Sequence, residues 1–304
     1  MGEKNQGAAT EIINADTLGG RLPSYYAKTT KLTPRNLLDN SDFTNPVNQR
    51  GQTSYTSVSY GIDRWKTNMG GNMTVTVGND KVTLSKANGA GDFMQVLPFD
   101  LTGKTVTYAI KTGGGITLKS AVVASSSSLI QIDGLKAYLG VYATNNTTVF
   151  RIYFNDASEI TLDLYWAALY EGEYTAENLP EYQSKGYGAE LAECQRYYLQ
   201  FGQVNAFGFV SSSAKSYYMT IQTPVPMRAM PTKVTMSGYV ARVATGYSVR
   251  TSGDFTAPES LSIWNTSPYL QGQITVIDTI ATAVDTNNSS MTFMIRDLTL
   301  SADL

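Results

Sequence analysis

Met73-Thr74-Val75-Thr76-Val77, Gly78-Asn79-Asp80 and Lys81-Val82-Thr83-Leu84-Ser85 alternate apolar and polar residues, turn, and alternate again. That period of two, broken by turn residues, is the signature of a β-hairpin. The same grammar recurs in Phe93 to Leu97, Thr105 to Ile110, Ile116 to Val123, Lys136 to Tyr142, Val149 to Phe154 and Ile160 to Tyr170. Nothing with a helical period separates these runs. A chain written this way closes two antiparallel sheets over one core, so the segment 37–172 is expected to be a β-sandwich.

The rest of the chain is written differently. Residues 1–36 hold few apolar positions and are broken by Gly19, Gly20 and Pro23, which predicts an extended arm or collar, or else an unstructured tail. Residues 173–187 read as a linker. From Gly188 to Phe201 the residues Leu191, Cys194, Tyr198 and Phe201 recur at helical spacing and predict one short axial helix with a narrow apolar stripe, completing a linker-and-helix segment over 173–201. Such a stripe suits copies of itself around an axis as well as a docking surface on a domain, so these four are candidate trimer contacts. Residues 202–304 return to strand patterns at Tyr217 to Gln222, Lys233 to Val243, Gln273 to Val284 and Met291 to Leu300. They predict a second, smaller β-sandwich. Between its strands, the three prolines of Pro224 to Pro231 rule out a central strand and imply a rigid connector.

Composition closes off most chemistries. The chain has no histidine and one cysteine, Cys194, which removes Ser-His-Asp and Cys-His catalysis, His-ligated zinc and any intramolecular disulfide. With 23 Lys and Arg against 25 Asp and Glu, and no basic run, there is no electrostatic footprint for nucleic acid. Charged residues are only 16%, below the roughly 25% of an average soluble protein, so Ser, Thr, Asn, Gln and 20 tyrosines must carry the surface. A weakly charged polar surface suits a neutral partner such as glycan, or simply a β-rich fold whose strands favour Thr and Tyr. No stretch approaches the roughly 20 apolar residues of a membrane span, and the N-terminus lacks the charged-then-apolar secretory pattern. Membrane insertion is not expected, and synthesis in the cytoplasm is.

Two adjacent segments carry a resemblance. Asp16-Thr17-Leu18-Gly19-Gly20 with Leu22-Pro23-Ser24-Tyr25-Tyr26-Ala27-Lys28 is similar to a short segment of bacteriophage tail-fibre proteins. Asn36-Leu37-Leu38-Asp39-Asn40, Asn45-Pro46-Val47-Asn48-Gln49-Arg50-Gly51 and Ile62-Asp63-Arg64-Trp65 resemble the opening of the carbohydrate-binding-module-like jelly roll of phage receptor-binding proteins. Glu190-Leu191-Ala192-Glu193-Cys194-Gln195-Arg196-Tyr197-Tyr198 also resembles a fibre segment that precedes C-terminal modules. The resemblance implies a homotrimeric, non-enzymatic virion protein made in the host cytoplasm. Its N-terminal arm would meet other virion proteins, a jelly roll would span 37–172, and a β tip over 202–304 would face a bacterial surface polysaccharide. A head-decoration or baseplate structural protein without receptor binding is the alternative.

Glycan sites need flat apolar faces for sugar C–H surfaces and a few fixed polar groups for hydroxyls. In the first sandwich Tyr55, Tyr60, Asp63, Arg64 and Trp65 are candidates. In the second they are Tyr239, Tyr247, Arg250, Asp254, Trp264 and Tyr269. Trp65 and Trp166 sit in strand-like contexts and are expected in the core; Trp264, in the polar loop Ser262 to Pro268, is a candidate for binding or for a subunit interface. The close carboxylates Asp156, Glu159, Asp163, Glu171 and Glu173 show no glycosidase arrangement that sequence can supply. No cofactor and no metal loop is expected.

Overall fold

The computed structural model describes residues 34–302 except 57–59, 69–72, 156–158, 212–215, 230, 236–237, 244–247, 251–261, 264–272 and 280–289. For 208–219, 234 and 238–293 it describes backbone alone. The expected arm over 1–36 therefore lies almost wholly outside the described residues.

Eleven strands come first: β1 (Ser54–Tyr55), β2 (Lys66–Asn68), β3 (Met73–Val77), β4 (Val82–Lys86), β5 (Ala90–Leu97), β6 (Thr105–Thr112), β7 (Gly115–Val122), β8 (Ser128–Gln131), β9 (Ala137–Thr144), β10 (Thr147–Asn155) and β11 (Ile160–Glu171). They form two antiparallel sheets, six strands in the order β1-β3-β4-β11-β6-β7 and five in the order β2-β5-β10-β9-β8. The expected hairpin is β3 and β4, with Val77 opposite Val82 and Gly78 N–H donating to Lys81 O at 2.9 Å. Side chains of both sheets meet in one core, among them Val75, Leu84, Leu162 and Leu164 from the first and Phe93, Leu139, Phe150 and Ile152 from the second. That is a β-sandwich.

Strand β11 shows how its sequence was misread. Ile160, Leu162 and Leu164 point into the core, and so do Ala167 and Leu169. A register shift between Leu164 and Trp166 moves the alternation by one residue. Trp166 therefore stands on the outer face, half-buried, stacked on Tyr182 with ring centroids 5.0 Å apart and planes 4° apart. The expectation that Trp166 lies in the core fails because the bulge inverts its side. Trp65, by contrast, is fully buried.

Residues 173–187 are not a free linker. Tyr174 N–H donates to Thr107 Oγ1 (2.9 Å), the Tyr182 hydroxyl meets Ser41 Oγ (3.3 Å), and Lys185 Nζ donates to Leu38 O (3.1 Å). The segment is a strap across the outer face of the six-stranded sheet.

The helix α1 (Tyr187–Gln195) is shorter than expected. Nine residues are marginal alone, and burial of Glu190 and Cys194 anchors them. The stripe through Leu191, Cys194, Tyr198 and Phe201 does not form, because Tyr198 already begins a strand and Phe201 lies within it. That strand pairs from Tyr198 opposite Ser301 to Phe209 opposite Ser290. So long a ladder outweighs a helical spacing that four apolar residues happen to satisfy. Cys194 and Tyr198 are buried within the chain (0% and 9% exposed), so they are not surfaces for a partner copy.

The remaining strands are β12 (Tyr198–Ser211), β13 (Ser216–Gln222), β14 (Lys233–Thr235), β15 (Gly238–Val243), β16 (Ser248–Arg250), β17 (Ser262–Ile263), β18 (Gln273–Thr279) and β19 (Ser290–Ser301). Where a second sandwich was expected, the described strands are hydrogen-bonded as one antiparallel sheet, β16-β15-β19-β12-β13-β18-β17, with β14 also on β19. The described residues of the proline run form no strand; Arg228 N–H donates to Arg196 O at 2.8 Å and pins them.

One buried group sets a pH dependence. Among the described residues, Asp92, 2% exposed on β5, has Arg151 as its ionic neighbour, at 3.6 Å, and no hydrogen-bond donor reaches its Oδ1. Burial pushes its carboxyl up to about 6, against the pull of Arg151. A raised carboxylate pKa means the folded state holds the proton more tightly, so this group's contribution to stability falls as pH rises from about 4 to about 6. Asp92→Asn is expected to abolish that fall and to stabilise the protein above pH 7 by up to about 3 kcal/mol. Urea unfolding of both proteins at pH 4.5 and 7.5 checks this; equal pH dependence in the two contradicts it.

Candidate functional site

A cleft of about 500 Å³ opens where the first sandwich meets the C-terminal sheet. One wall is built from Arg50, Gln52, Ser54, Tyr55, Thr56 and Tyr60; the other is built from Tyr198, Lys233, Thr235, Thr299 and Ser301. Register explains the second wall. Ser301 on β19 stands opposite both Tyr198 on β12 and Lys233 on β14, and Thr299 stands opposite Thr235 two residues along. Residues two apart share a face, so these five side chains project from one side of the sheet. Thr235 and Thr299 also join hydroxyls.

The first wall is shaped by Asn40 and Asp63. Asn40, in the left-handed region at φ 49°, accepts Val47 N–H (2.7 Å) and donates to Val47 O (2.9 Å) and Asp63 O (2.8 Å). That side chain fastens the Asn45-to-Arg50 turn against Ile62-Asp63-Arg64. Asp63, 1% exposed, accepts Gln49 N–H at 2.7 Å and lies 3.4 Å from Arg50 Nη1. Gln49 Nε2 reaches across to Tyr198 O at 2.8 Å and ties the wall to the C-terminal sheet. Arg50 is therefore aimed: its guanidinium lies 3.8 Å from the Tyr198 ring and 5.7 Å from the Tyr60 ring. The close approach to Tyr198 is a favourable cation–π contact, with Tyr60 at the edge of its range. Lys66 Nζ approaches Tyr60 at 5.5 Å.

The residues anticipated from sequence part company here. Tyr60 lines the cleft, half-buried, with its ring engaged by cations. Tyr55 lines it too but is 8% exposed, and its hydroxyl donates to Asn48 Oδ1 and accepts Gln52 N–H at 3.2 Å. Burial holds its phenol above the ordinary value. It braces the wall rather than offering a face. Asp63, Arg64 and Trp65 are not glycan contacts, for all three are buried: Arg64 is committed to Asp39 (3.2 Å) and Val96 O (3.0 Å), and Trp65 Nε1 to Asn40 O (2.8 Å). Trp264, Tyr269, Tyr247 and Asp254 lie outside the described residues. Arg250 closes β16, opposite Ala241, with only its backbone described; Tyr239 is opposite Ile295 on the same terms.

Arg50, Lys233, Thr235, Thr299 and Ser301 were not foreseen. They are common surface residue types, and only the pairing of β12, β14 and β19 brings them beside Arg50. Among the described residues no three His, Cys, Asp or Glu side chains converge on a metal-sized site. Chemically, the lining offers hydroxyls, an amide and three phenols around two cations, which suits hydrogen bonding to a polyhydroxylated ligand. No protein-family model matches the chain, and no curated protein matches it.

Proposed function

We propose that this chain is a non-enzymatic bacteriophage fibre protein, carried on the virion, that attaches the particle to a bacterial surface glycan. The cleft between the sandwich and the C-terminal sheet carries the reading: hydroxyl side chains beside the Tyr60–Arg50–Tyr198 cluster form a polar, aromatic-walled groove of saccharide size. The motifs in 16–28, 36–65 and 188–198 support the fibre assignment by resemblance. On this reading the sandwich is a jelly roll, the N-terminal arm meets other virion proteins, and three chains assemble so that weak sites act together. Trimerisation rests on the resemblance alone, since the helix stripe that favoured it does not form. Light scattering is expected to give three times the chain mass of 33.1 kDa; a mass of one chain contradicts assembly.

Saturable binding of the purified protein to intact host bacteria and to their extracted polysaccharide is the expected result. Tyr60→Ala is expected to weaken it about tenfold, by removal of one stacking face. Binding kept by Tyr60→Ala but lost by Trp264→Ala moves the site to the C-terminal loop. No binding by well-folded protein to any candidate surface overturns the receptor-binding reading in favour of a decoration or baseplate role.

A further inference from the structure

The cleft has a charge that the chain as a whole does not. The protein carries 25 acidic and 23 basic side chains, yet the residues lining the cleft include Arg50 and Lys233 and no carboxylate. Asp63 touches Arg50 from behind, 1% exposed, while Lys233 stands exposed on β14. Lys66 Nζ lies 5.5 Å from the Tyr60 ring, beside the cleft lining rather than in it. Accepting an anion is what such a lining does best: an ammonium supplies three donors, the guanidinium a fixed fork, and the hydrogen-bonded Thr235–Thr299 pair keeps one hydroxyl hydrogen to give.

Accepting the attachment reading, we propose that the ligand of this cleft is an anionic saccharide, bearing a carboxylate or phosphate group that seats between Lys233 and Arg50. The hydroxyls and the Tyr60 ring take the neutral part of the sugar, and the two cations select for charge. Arg50 already packs on the Tyr198 ring at 3.8 Å and pairs with Asp63 at 3.4 Å, which restrains it before the ligand arrives and lowers the ordering cost of binding. Lys233 is the adjustable partner. It is exposed on β14, opposite Ser301, and among the described residues no ion pair involves it.

The test uses the full chain and three probes: oligogalacturonate for carboxylate, poly(glycerol phosphate) for phosphate, and dextran as the neutral control. Titration calorimetry is expected to show binding to at least one anionic probe, weakening with added salt, and none to dextran at the same concentration. Which anionic probe binds distinguishes the two sources of charge. Lys233→Gln is expected to cost about tenfold in that affinity, the scale of one charged hydrogen bond, and Lys233→Glu to abolish binding. Both variants are expected to keep the circular dichroism and unfolding midpoint of the parent. Dextran binding as tight as the anionic probes, or Lys233→Glu binding like the parent, overturns the proposal. If intact bacteria are bound but neither anionic probe is, charge selection fails while attachment stands. Loss of all binding, to bacteria as well, removes both.

Discussion

Trp65→Ala is expected to cost about 3–5 kcal/mol and to lower the unfolding midpoint of the sandwich by about 10 °C. Trp65 is where the opening segment, through Phe43, meets β5 and β10 in the core. Its ring stacks on Phe93 at 4.9 Å and 12°, and meets Phe43 at 5.1 Å and Phe150 at 5.8 Å edge-on. All three ring neighbours are fully buried aromatics with few rotamers, so they collapse poorly into the cavity left by alanine. Nε1–H donates to Asn40 O at 2.8 Å, and Asn40 in turn fastens the turn that aims Arg50. Trp65→Phe separates the two contributions. It keeps an aromatic ring but strands the Asn40 carbonyl, which is expected to cost about 1–3 kcal/mol. Chemical denaturation of the three proteins checks the order; a Trp65→Ala cost below that of Trp65→Phe contradicts the role given to the ring stack.

Arg64→Ala is expected to cost about 3 kcal/mol and to loosen the join between sandwich and C-terminal sheet. Arg64, whose backbone is in the left-handed region at φ 70°, is buried, and its guanidinium donates to Asp39 Oδ2 and Val96 O inside the sandwich. Its plane lies 3.4 Å from the Tyr197 ring. Tyr197 belongs to the other side: its carbonyl accepts Ala302 N–H at 2.7 Å, and Arg228 approaches the same ring at 5.4 Å. Breaking a buried pair usually costs about 3–5 kcal/mol, and Lys185, 3.4 Å from Asp39, keeps this loss at the lower end. Arg64→Lys is not expected to rescue, since a point charge cannot serve a carboxylate, a carbonyl and a ring at once. Hydrogen exchange separates a local from a general effect. Faster exchange in α1 and the first residues of β12, beyond that elsewhere, is the expected pattern; exchange raised evenly along the chain contradicts the clamp.

The sandwich was readable because its information is local. Period-two runs such as β3 and β4 each declare a strand, and turn residues declare where it stops. Features that depended on partners were not readable. The bulge near Tyr165 inverted Trp166, and no propensity marks it. The ladder between β12 and β19 joins distant segments, so Tyr198 and Phe201 satisfied a helical spacing locally and a strand globally. The strap of Tyr174, Tyr182 and Lys185 looked like a linker because its Pro, Gly and Glu carry no period, yet its aromatics are what cover the outer face. The candidate site was half legible: Tyr60 came from its polar, aromatic surroundings. Arg50 and the C-terminal wall came only from the fold, because Lys, Thr and Ser announce nothing until pairing lines them up.

The claim that the junctional cleft holds the saccharide is tested most directly by hydrogen exchange of the full chain with and without polysaccharide extracted from a bacterium it binds. Slowed exchange in peptides covering Arg50 to Tyr60, Lys233 to Thr235 and Leu298 to Ser301 together is the expected footprint. Protection confined to other segments, with these three unchanged under saturating ligand, would contradict it.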